Sequence, residues 1–190
     1  MRWLNLQAGA FVNVIDDVIL PIADASGKRF YQNEASLSTS GIEGEIAATP
    51  IAKHLTIRAN YTYVDGKNQT ASLLFNTPFI AKHIANVILV ADLFDHLQLT
   101  PYLQYHSQRG RDPSTGDPRP PKNGYALLNL NVRIHDVLVR KLEFFLHATN
   151  ILDTKYTAPS DFPPKVAGVL PDDLVNPGFR VLAGARYNFL

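Results

Sequence analysis

The sequence has 190 residues, a formal net charge of +1 at pH 7 and no cysteine. This length fits one domain, the small charge gives no bulk attraction to nucleic acid, and the lack of cysteine excludes disulfides, thiolate zinc sites and cysteine nucleophiles. No run of 18 apolar residues is present, so no transmembrane helix is expected. The first residues do not resemble a signal peptide, because Asn5, Gln7 and Asn13 interrupt the apolar stretch.

Apolar and polar residues alternate along most of the chain. In "HLTIRANYTYVD", Leu55, Ile57 and Ala59 alternate with Thr56 and Arg58. Because successive side chains of a strand point to opposite faces, this period of two predicts strands with one apolar and one polar face. In chain order, the alternating segments are residues 4–16, 33–48, 54–65, 82–93, 96–108, 124–135, 142–152 and 178–190. They predict an all-β, antiparallel, up-and-down sheet of about eight strands.

The connections between these segments alternate strictly between short and long. "TPIAK", "LFD" and "VLVRK" are short, whereas the long connections are residues 18–32, 66–79, 109–123 and 153–177. Short turns at one end and long loops at the other are typical of outer-membrane barrels, whose short turns are periplasmic. Aromatic residues collect at both strand ends, as they do at membrane interfaces. They are Tyr61, Tyr63 and Tyr105 at the loop end, and Trp3, Phe94, Tyr187 and Phe189 at the turn end.

A soluble β-sandwich or a lipocalin-like ligand carrier would also have alternating strands. The polar faces favour a membrane barrel, because they are rich in Arg, Asn, Gln and Thr. Such residues suit a water-filled lumen, whereas a soluble surface usually carries more Lys and Glu. A stand-alone eight-stranded outer-membrane barrel with a structural or adhesion role is the other alternative.

Several motifs resemble one protein family. "NILDTKY", with Asn150, Asp153 and Tyr156, resembles the Asn-Leu-Phe-Asp-x-x-Tyr motif near the end of TonB-dependent outer-membrane receptors, and "NPGFRVLAGARYNFL" is similar to their closing strand. The stretches "AFVNVIDDVI", "NEASLSTSGIEGEI", "LTIRANYTYVDGK" and "TPFIAKHIANV" resemble earlier strands of the same family, in family order. Two positions depart from the pattern: Phe179 stands where the family usually has Arg, and Leu190 follows the usual terminal Phe.

This resemblance implies that residues 1–190 are the C-terminal part of a receptor barrel, without the plug domain and the earlier strands. Complete barrels of this kind have about 22 strands. The implied function is TonB-energised uptake of a scarce nutrient, most often a ferric siderophore, across the bacterial outer membrane. The implied partners are the membrane lipid, TonB through a missing N-terminal region, and the barrel-insertion machinery. That machinery would recognise the last strand, where Val181, Tyr187 and Phe189 form the lipid-facing row.

Two groups of residues are candidates for binding functions. The Pro- and Gly-rich loop 109–123 is expected either to contact an anionic iron chelate or to be a solvated outer loop. Its candidate ligand-facing cations are Arg109, Arg111, Arg119 and Lys122. The residues expected to face the lumen are Glu43, Glu45, Arg58, Asn129, Arg133, Arg180 and Arg186.

No catalytic or metal-binding constellation is recognisable. Glu43 and Glu45 lie two residues apart on one face, a spacing compatible with acid–base chemistry. We expect them instead to line the lumen wall, facing Arg58 on the next segment. The six histidines lack metal-binding spacing, and no Gly-rich phosphate loop or Ser-His-Asp set is present. The sequence therefore predicts a protein that is not an enzyme and has no metal or cofactor.

Overall fold

The computed structural model describes residues 3–23, 29–70, 74–113, 117–137, 139–160 and 173–189. The strands are β1 (Leu4–Ala23), β2 (Arg29–Ile51), β3 (Leu55–Gln69), β4 (Leu74–Asn76), β5 (His83–Leu93), β6 (Leu97–His106), β7 (Tyr125–His135), β8 (Leu142–Thr149), β9 (Thr157–Ala158), β10 (Leu174–Val175) and β11 (Arg180–Tyr187). All strand pairings are antiparallel. Within these ranges, no helix is long and apolar enough to cross a membrane.

One large sheet contains all the long strands. Its order is β1-β2-β3-β5-β6-β7-β8-β11, with β4 added to the far end of β3, while β9 and β10 form a separate two-stranded sheet. Consecutive long strands are therefore neighbours, as the sequence predicts. In the described part of the chain, no pairing joins β1 to β11, so the sheet is open. This confirms an all-β, antiparallel and incomplete barrel.

The first strands extend beyond the predicted segments. β1 continues to Ala23, β2 begins at Arg29 and β3 reaches Gln69, so the predicted long connections 18–32 and 66–79 consist partly of strand. A bulge interrupts the β1–β2 register near Asp17, whose φ is 57°. Alternation fades there because the register shift breaks the period of two. The loop residue Gly116 and the terminal Leu190 lie outside the described residues.

The strand register separates a polar from an apolar face. A row across five strands joins Ile46, Ala59, Val87, Leu103 and Leu128. The neighbouring row on the opposite face joins Glu45, Asn60, Asn86, Gln104 and Leu127. The sheet thus has the two surfaces that a membrane barrel needs, one for lipid and one for a wet interior.

The three short connections are tight turns at one end of the sheet. Residues with positive φ occur in each of them: Lys53, Phe94, Asp136 and Lys141. The turns are tied to neighbouring strands, for example by the N–H of Thr49, which donates to the carbonyl of Trp3 at 2.7 Å. Trp3 and Phe94 are exposed at this end. The rings of Tyr187 and Phe189 pack edge to face there, with centroids 4.9 Å apart. The predicted separation of the aromatic residues into two groups is thus present.

Candidate functional site

The connections at the opposite end are joined by a cluster of charged side chains, called here the loop cluster: Arg111, Asp117, Arg119, Lys122 and Asp173. Arg111 donates from both terminal nitrogens to the Asp173 carboxylate, at 2.9 and 2.7 Å. Lys122 lies 2.6 Å from the same carboxylate. The Arg111 and Asp173 side chains are only 6% and 9% exposed. The cluster therefore holds Arg111 and residues 117–122 against the segment that precedes β11.

Backbone pairing at the base of the loop explains why these cations converge. Arg109 and Lys122 pair as an isolated bridge, with N–H···O distances of 3.0 and 2.9 Å in the two directions. Asp117 accepts from the Arg119 backbone N–H at 3.0 Å and from its guanidinium at 2.6 Å. These contacts bring Arg111, Arg119 and Lys122 to the carboxylates of Asp117 and Asp173.

The arrangement keeps both carboxylates of the loop cluster ionised. Arg111 holds the pKa of Asp173 well below its usual range, with further contributions from Lys122 and the backbone N–H of Ser160. The hydrogen bond from Arg119 lowers the pKa of Asp117. Arg111, Arg119 and Lys122 thus lie against the two carboxylates of Asp117 and Asp173. Three of the four predicted ligand-facing cations are thus matched by internal carboxylates, and their contact with a ligand stays a prediction.

The fourth cation, Arg109, has a different environment. Its guanidinium donates to the carbonyl of Thr157 at 2.7 Å and lies 5.2 Å from the ring centroid of Tyr125. Its Nε is buried without a hydrogen-bond partner within the described protein. Tyr125 stacks on Tyr156 at 4.4 Å and on His106 at 5.0 Å. Arg109 thus caps an aromatic stack where β6 ends and β7 begins, a cation–π arrangement.

The "NILDTKY" motif forms a fixed turn after β8. Asn150 is 4% exposed and has a φ of 51°. Its amide accepts from the N–H of Thr154 at 2.9 Å and donates to the Thr154 carbonyl at 3.0 Å. Its backbone N–H donates to the side chain of Asn129 at 2.9 Å. Asp153 accepts from the N–H of Phe179 at 3.0 Å. The motif residues thus connect β7, β8 and the start of β11.

The seven predicted lumen residues share the polar face. Glu45 is paired with Asn60, Asn129 with Tyr102, and Arg133 with Gln98. The alternation along each strand extends this face to the complete set: Glu43, Glu45, Arg58, Asn129, Arg133, Arg180 and Arg186. That this face lines a lumen stays a prediction.

On this polar face, Arg58 does not contact Glu43 and Glu45, which were expected to face it. Arg58 pairs with Ala47 across the sheet, and among the described residues no ion pair connects it to Glu43 or Glu45. Glu45 is diagonal to Arg58, so the two side chains share a face without meeting.

An ion pair network forms elsewhere on the same face, between the last strands. Glu143 lies 2.8 Å from Arg133 and 3.1 Å from Arg186.

Sequence reasoning missed the acidic partners. Asp173 is 62 residues from Arg111, and no local pattern connects them. Glu143 was detectable in principle, because β7–β8 pairing places it two residues along the face from the partner of Arg133. A search of the described segments finds no group of three side chains able to hold a metal ion.

Comparison with protein families identifies the class of this sheet. The model of the family described as "TonB dependent receptor-like, beta-barrel" matches residues 1–151. The chain belongs to this family. This family consists of barrels of bacterial outer-membrane receptors and not of enzymes, as the sequence predicts. Comparison with curated proteins finds no match.

Solved structures show the same fold at low sequence identity. The ferric-catecholate import receptor Fiu from E. coli K12 is 18% identical, with a TM-score of 0.72 over 97% of this chain. The copper transporter OprC is 17% identical, with a TM-score of 0.76 over 100% of this chain. The ferric yersiniabactin uptake receptor FyuA from Yersinia pestis is 16% identical, with a TM-score of 0.74 over 100%. This chain spans only 25%, 29% and 28% of those chains, respectively.

Proposed function

We propose that this chain is the C-terminal part of the barrel of a receptor that imports a ferric siderophore across the outer membrane, energised through TonB. The observation that supports this proposal is the polar face of the sheet. In a barrel of this family, such a face would form the wall of a wide, water-filled lumen. The names of Fiu and FyuA, both receptors for ferric chelates, support iron as the cargo. The parts that contact TonB and most of the substrate would belong to the rest of the receptor.

The residues of this chain have three roles in the proposal. The polar face lines the lumen, and the loop cluster fixes the shape of two outer loops at its mouth. In this proposal, Arg111, Arg119 and Lys122 at the mouth favour an anionic chelate over a cation. The row Val181, Tyr187 and Phe189 faces lipid and serves as the insertion signal; all three side chains are exposed in the open sheet.

Uptake of radiolabelled iron by cells that produce the complete receptor tests the function. Cells would be given ⁵⁵Fe as catecholate, hydroxamate and citrate complexes, and copper in parallel, with and without TonB. We expect TonB-dependent uptake of at least one ferric complex. Uptake of copper alone would overturn iron as the cargo, and uptake unchanged by removal of TonB would overturn the energised mechanism.

A pair of matched double variants then connects uptake to the loop cluster. Arg111→Gln with Lys122→Gln removes two cations from the cluster, whereas Lys53→Gln with Lys141→Gln removes two cations from the short turns. We expect the first pair to raise the concentration needed for half-maximal uptake, and the second pair to leave it unchanged. Equal effects of both pairs would show that the cluster has no role in ligand capture.

A further inference from the structure

A small basic patch lies just beyond the tyrosines at the loop end of the sheet. It comprises Asp65, Lys67 and Lys82 and is called here the lysine patch. On β3, Tyr61, Tyr63, Asp65 and Lys67 are all two residues apart, so they project from the same face. That face is the apolar one, because Tyr63 is paired with Ile42. Lys82 stands opposite Val64 just before β5, and its ammonium reaches Asp65 on the apolar face. Through this contact the patch continues the lipid-facing surface.

Contacts within the patch keep both ammonium groups near one carboxylate. The Lys82 ammonium forms an ion pair with Asp65, and that of Lys67 lies 3.6 Å from the same side chain. Lys67 also donates to the side chain of Asn76, opposite it on β4. The two lysine side chains are 43% and 41% exposed. Two accessible cations are thus held close together, and among the described residues Asp65 is the carboxylate that pairs with them.

The height of the patch corresponds to the polar layer of a membrane. The Tyr61 hydroxyl forms a hydrogen bond with Nδ1 of His83 at 2.7 Å. The ring centroids of Tyr63 and His83 lie 5.1 Å apart. Such aromatic groups mark the interface. With a strand rise of about 3.4 Å per residue and a tilt of about 40°, Asp65 lies roughly 5 Å and Lys67 roughly 10 Å above Tyr63 along the membrane normal. The headgroup layer is about 5–7 Å thick, so lysine side chains at these heights reach its phosphates.

We propose that the lysine patch is a binding site for a phosphorylated lipid headgroup of the outer leaflet. A phosphate has several acceptor oxygens and can accept charge-assisted hydrogen bonds from both ammonium groups. Asp65 holds the two cations in place before the lipid arrives. The site lies on the outside of the barrel wall and is separate from substrate uptake, so it does not depend on the identity of the cargo.

Native mass spectrometry of the complete receptor in detergent tests this site. The probes are a lipid A with two phosphates, the same lipid without phosphates, and inorganic phosphate. We expect the diphosphorylated lipid to be retained, and Lys67→Gln with Lys82→Gln to weaken its binding by roughly 10- to 30-fold. The control, Lys53→Gln with Lys141→Gln, changes the same charge at the other end of the sheet and should leave binding unchanged.

A second variant separates lost charge from lost folding. Lys67→Arg with Lys82→Arg keeps both charges and should retain the diphosphorylated lipid. Equal retention of the two lipids by the unmodified receptor would overturn the proposal, as would an unchanged affinity in the Gln variant. Displacement of the lipid by millimolar inorganic phosphate would show a free-anion site instead and would also overturn it.

Discussion

The Asp153 carboxylate accepts a hydrogen bond from the backbone N–H of Phe179 at 3.0 Å, across 26 residues of chain. Asp153 begins the long connection after β8, and Phe179 immediately precedes β11. The same carboxylate forms an ion pair with Lys155 at 2.6 Å. One side chain therefore joins the start of the last long loop to its end and positions β11 for pairing with β8.

This relationship predicts different effects for two substitutions of Asp153. The residue has a φ of 48°, a conformation that Asn tolerates better than Ala. Asp153→Ala should destabilise the complete receptor by about 1–2 kcal/mol, because it loses the hydrogen bond and adds backbone strain. Asp153→Asn keeps an acceptor and should cost less than about 1 kcal/mol. Urea-dependent unfolding followed by heat-modifiable gel mobility measures the free energy of unfolding of both variants. An equal loss of stability in the two variants would show that the hydrogen bond to Phe179 does not stabilise the receptor.

The assignment of the apolar face to lipid predicts a strong effect at Ile57. This residue lies between Ala48 and Leu89 on neighbouring strands. Ile57→Arg should destabilise the membrane-inserted barrel by about 2–4 kcal/mol, because it places a charge near the bilayer midplane. Thr56→Arg on the opposite face is the matched control and should cost little. Spin labels at positions 57 and 58 provide an independent measurement, and greater water accessibility at 57 would reverse the faces.

The alternation of short and long connections predicts the orientation of the sheet. A tag inserted at Asp95, in the turn between β5 and β6, should be hidden from antibody on intact cells. A tag inserted at Gly116 should be labelled. Both should be labelled after the outer membrane is permeabilised. Labelling at Asp95 without labelling at Gly116 on intact cells would mean that the topology is inverted.

The loop cluster predicts a low-pH transition of the outer loops. The pKa of Asp173 is lowered in the folded protein, mainly by Arg111, so its stabilising contribution is present above the usual carboxyl pKa of about 3.9 and is lost only as the pH falls through the folded value. The loops should stay together at about pH 4 and separate only at lower pH. Asp173→Asn should separate them at every pH, since breaking a buried ion pair costs roughly 3 kcal/mol or more.

A pair of spin labels can follow that transition, because the chain has no cysteine of its own. Pro113→Cys and Val175→Cys report the distance between the two loops, and both positions are exposed. We expect an unchanged distance between pH 7 and about pH 4 and a broader distribution below about pH 3. Asp95→Asn, far from the cluster, is the control. Broadening already at pH 5 would show that the Asp173 ion pairs do not hold the loops.

The open edges of the sheet predict the behaviour of residues 1–190 produced alone. β1 and β11 each have one unpaired edge within the described structure. In hydrocarbon, each unsatisfied backbone group costs several kcal/mol. The isolated chain should therefore associate through its edges or aggregate in detergent, which analytical ultracentrifugation would detect. A stable monomer that carried a ferric siderophore across a liposome membrane would contradict both this prediction and the need for a larger barrel.

Alternation along single strands was sufficient to predict the sheet. Leu55, Ile57 and Ala59 specify an apolar face locally, because the period of two assigns each side chain to a face without any knowledge of the neighbouring strands. The strand order followed from the short turns, since adjacent antiparallel strands joined by a few residues must pair. The extended ends of β1 and β2 were not predictable in this way, because a bulge near Asp17 shifts the register and the alternation with it.

Only the tertiary structure decided what the charged loop residues do. The sequence presents Arg111, Arg119 and Lys122 as a free basic loop, whereas the fold pairs them with Asp117 and with Asp173, which lies in another loop. Likewise, the sequence shows a motif at Asn150 and Asp153, but not that they tie β8 to β7 and β11. Faces depend on neighbours along the chain, which the sequence determines, whereas ion pairs depend on distances between remote segments, which are fixed only when the strands assemble.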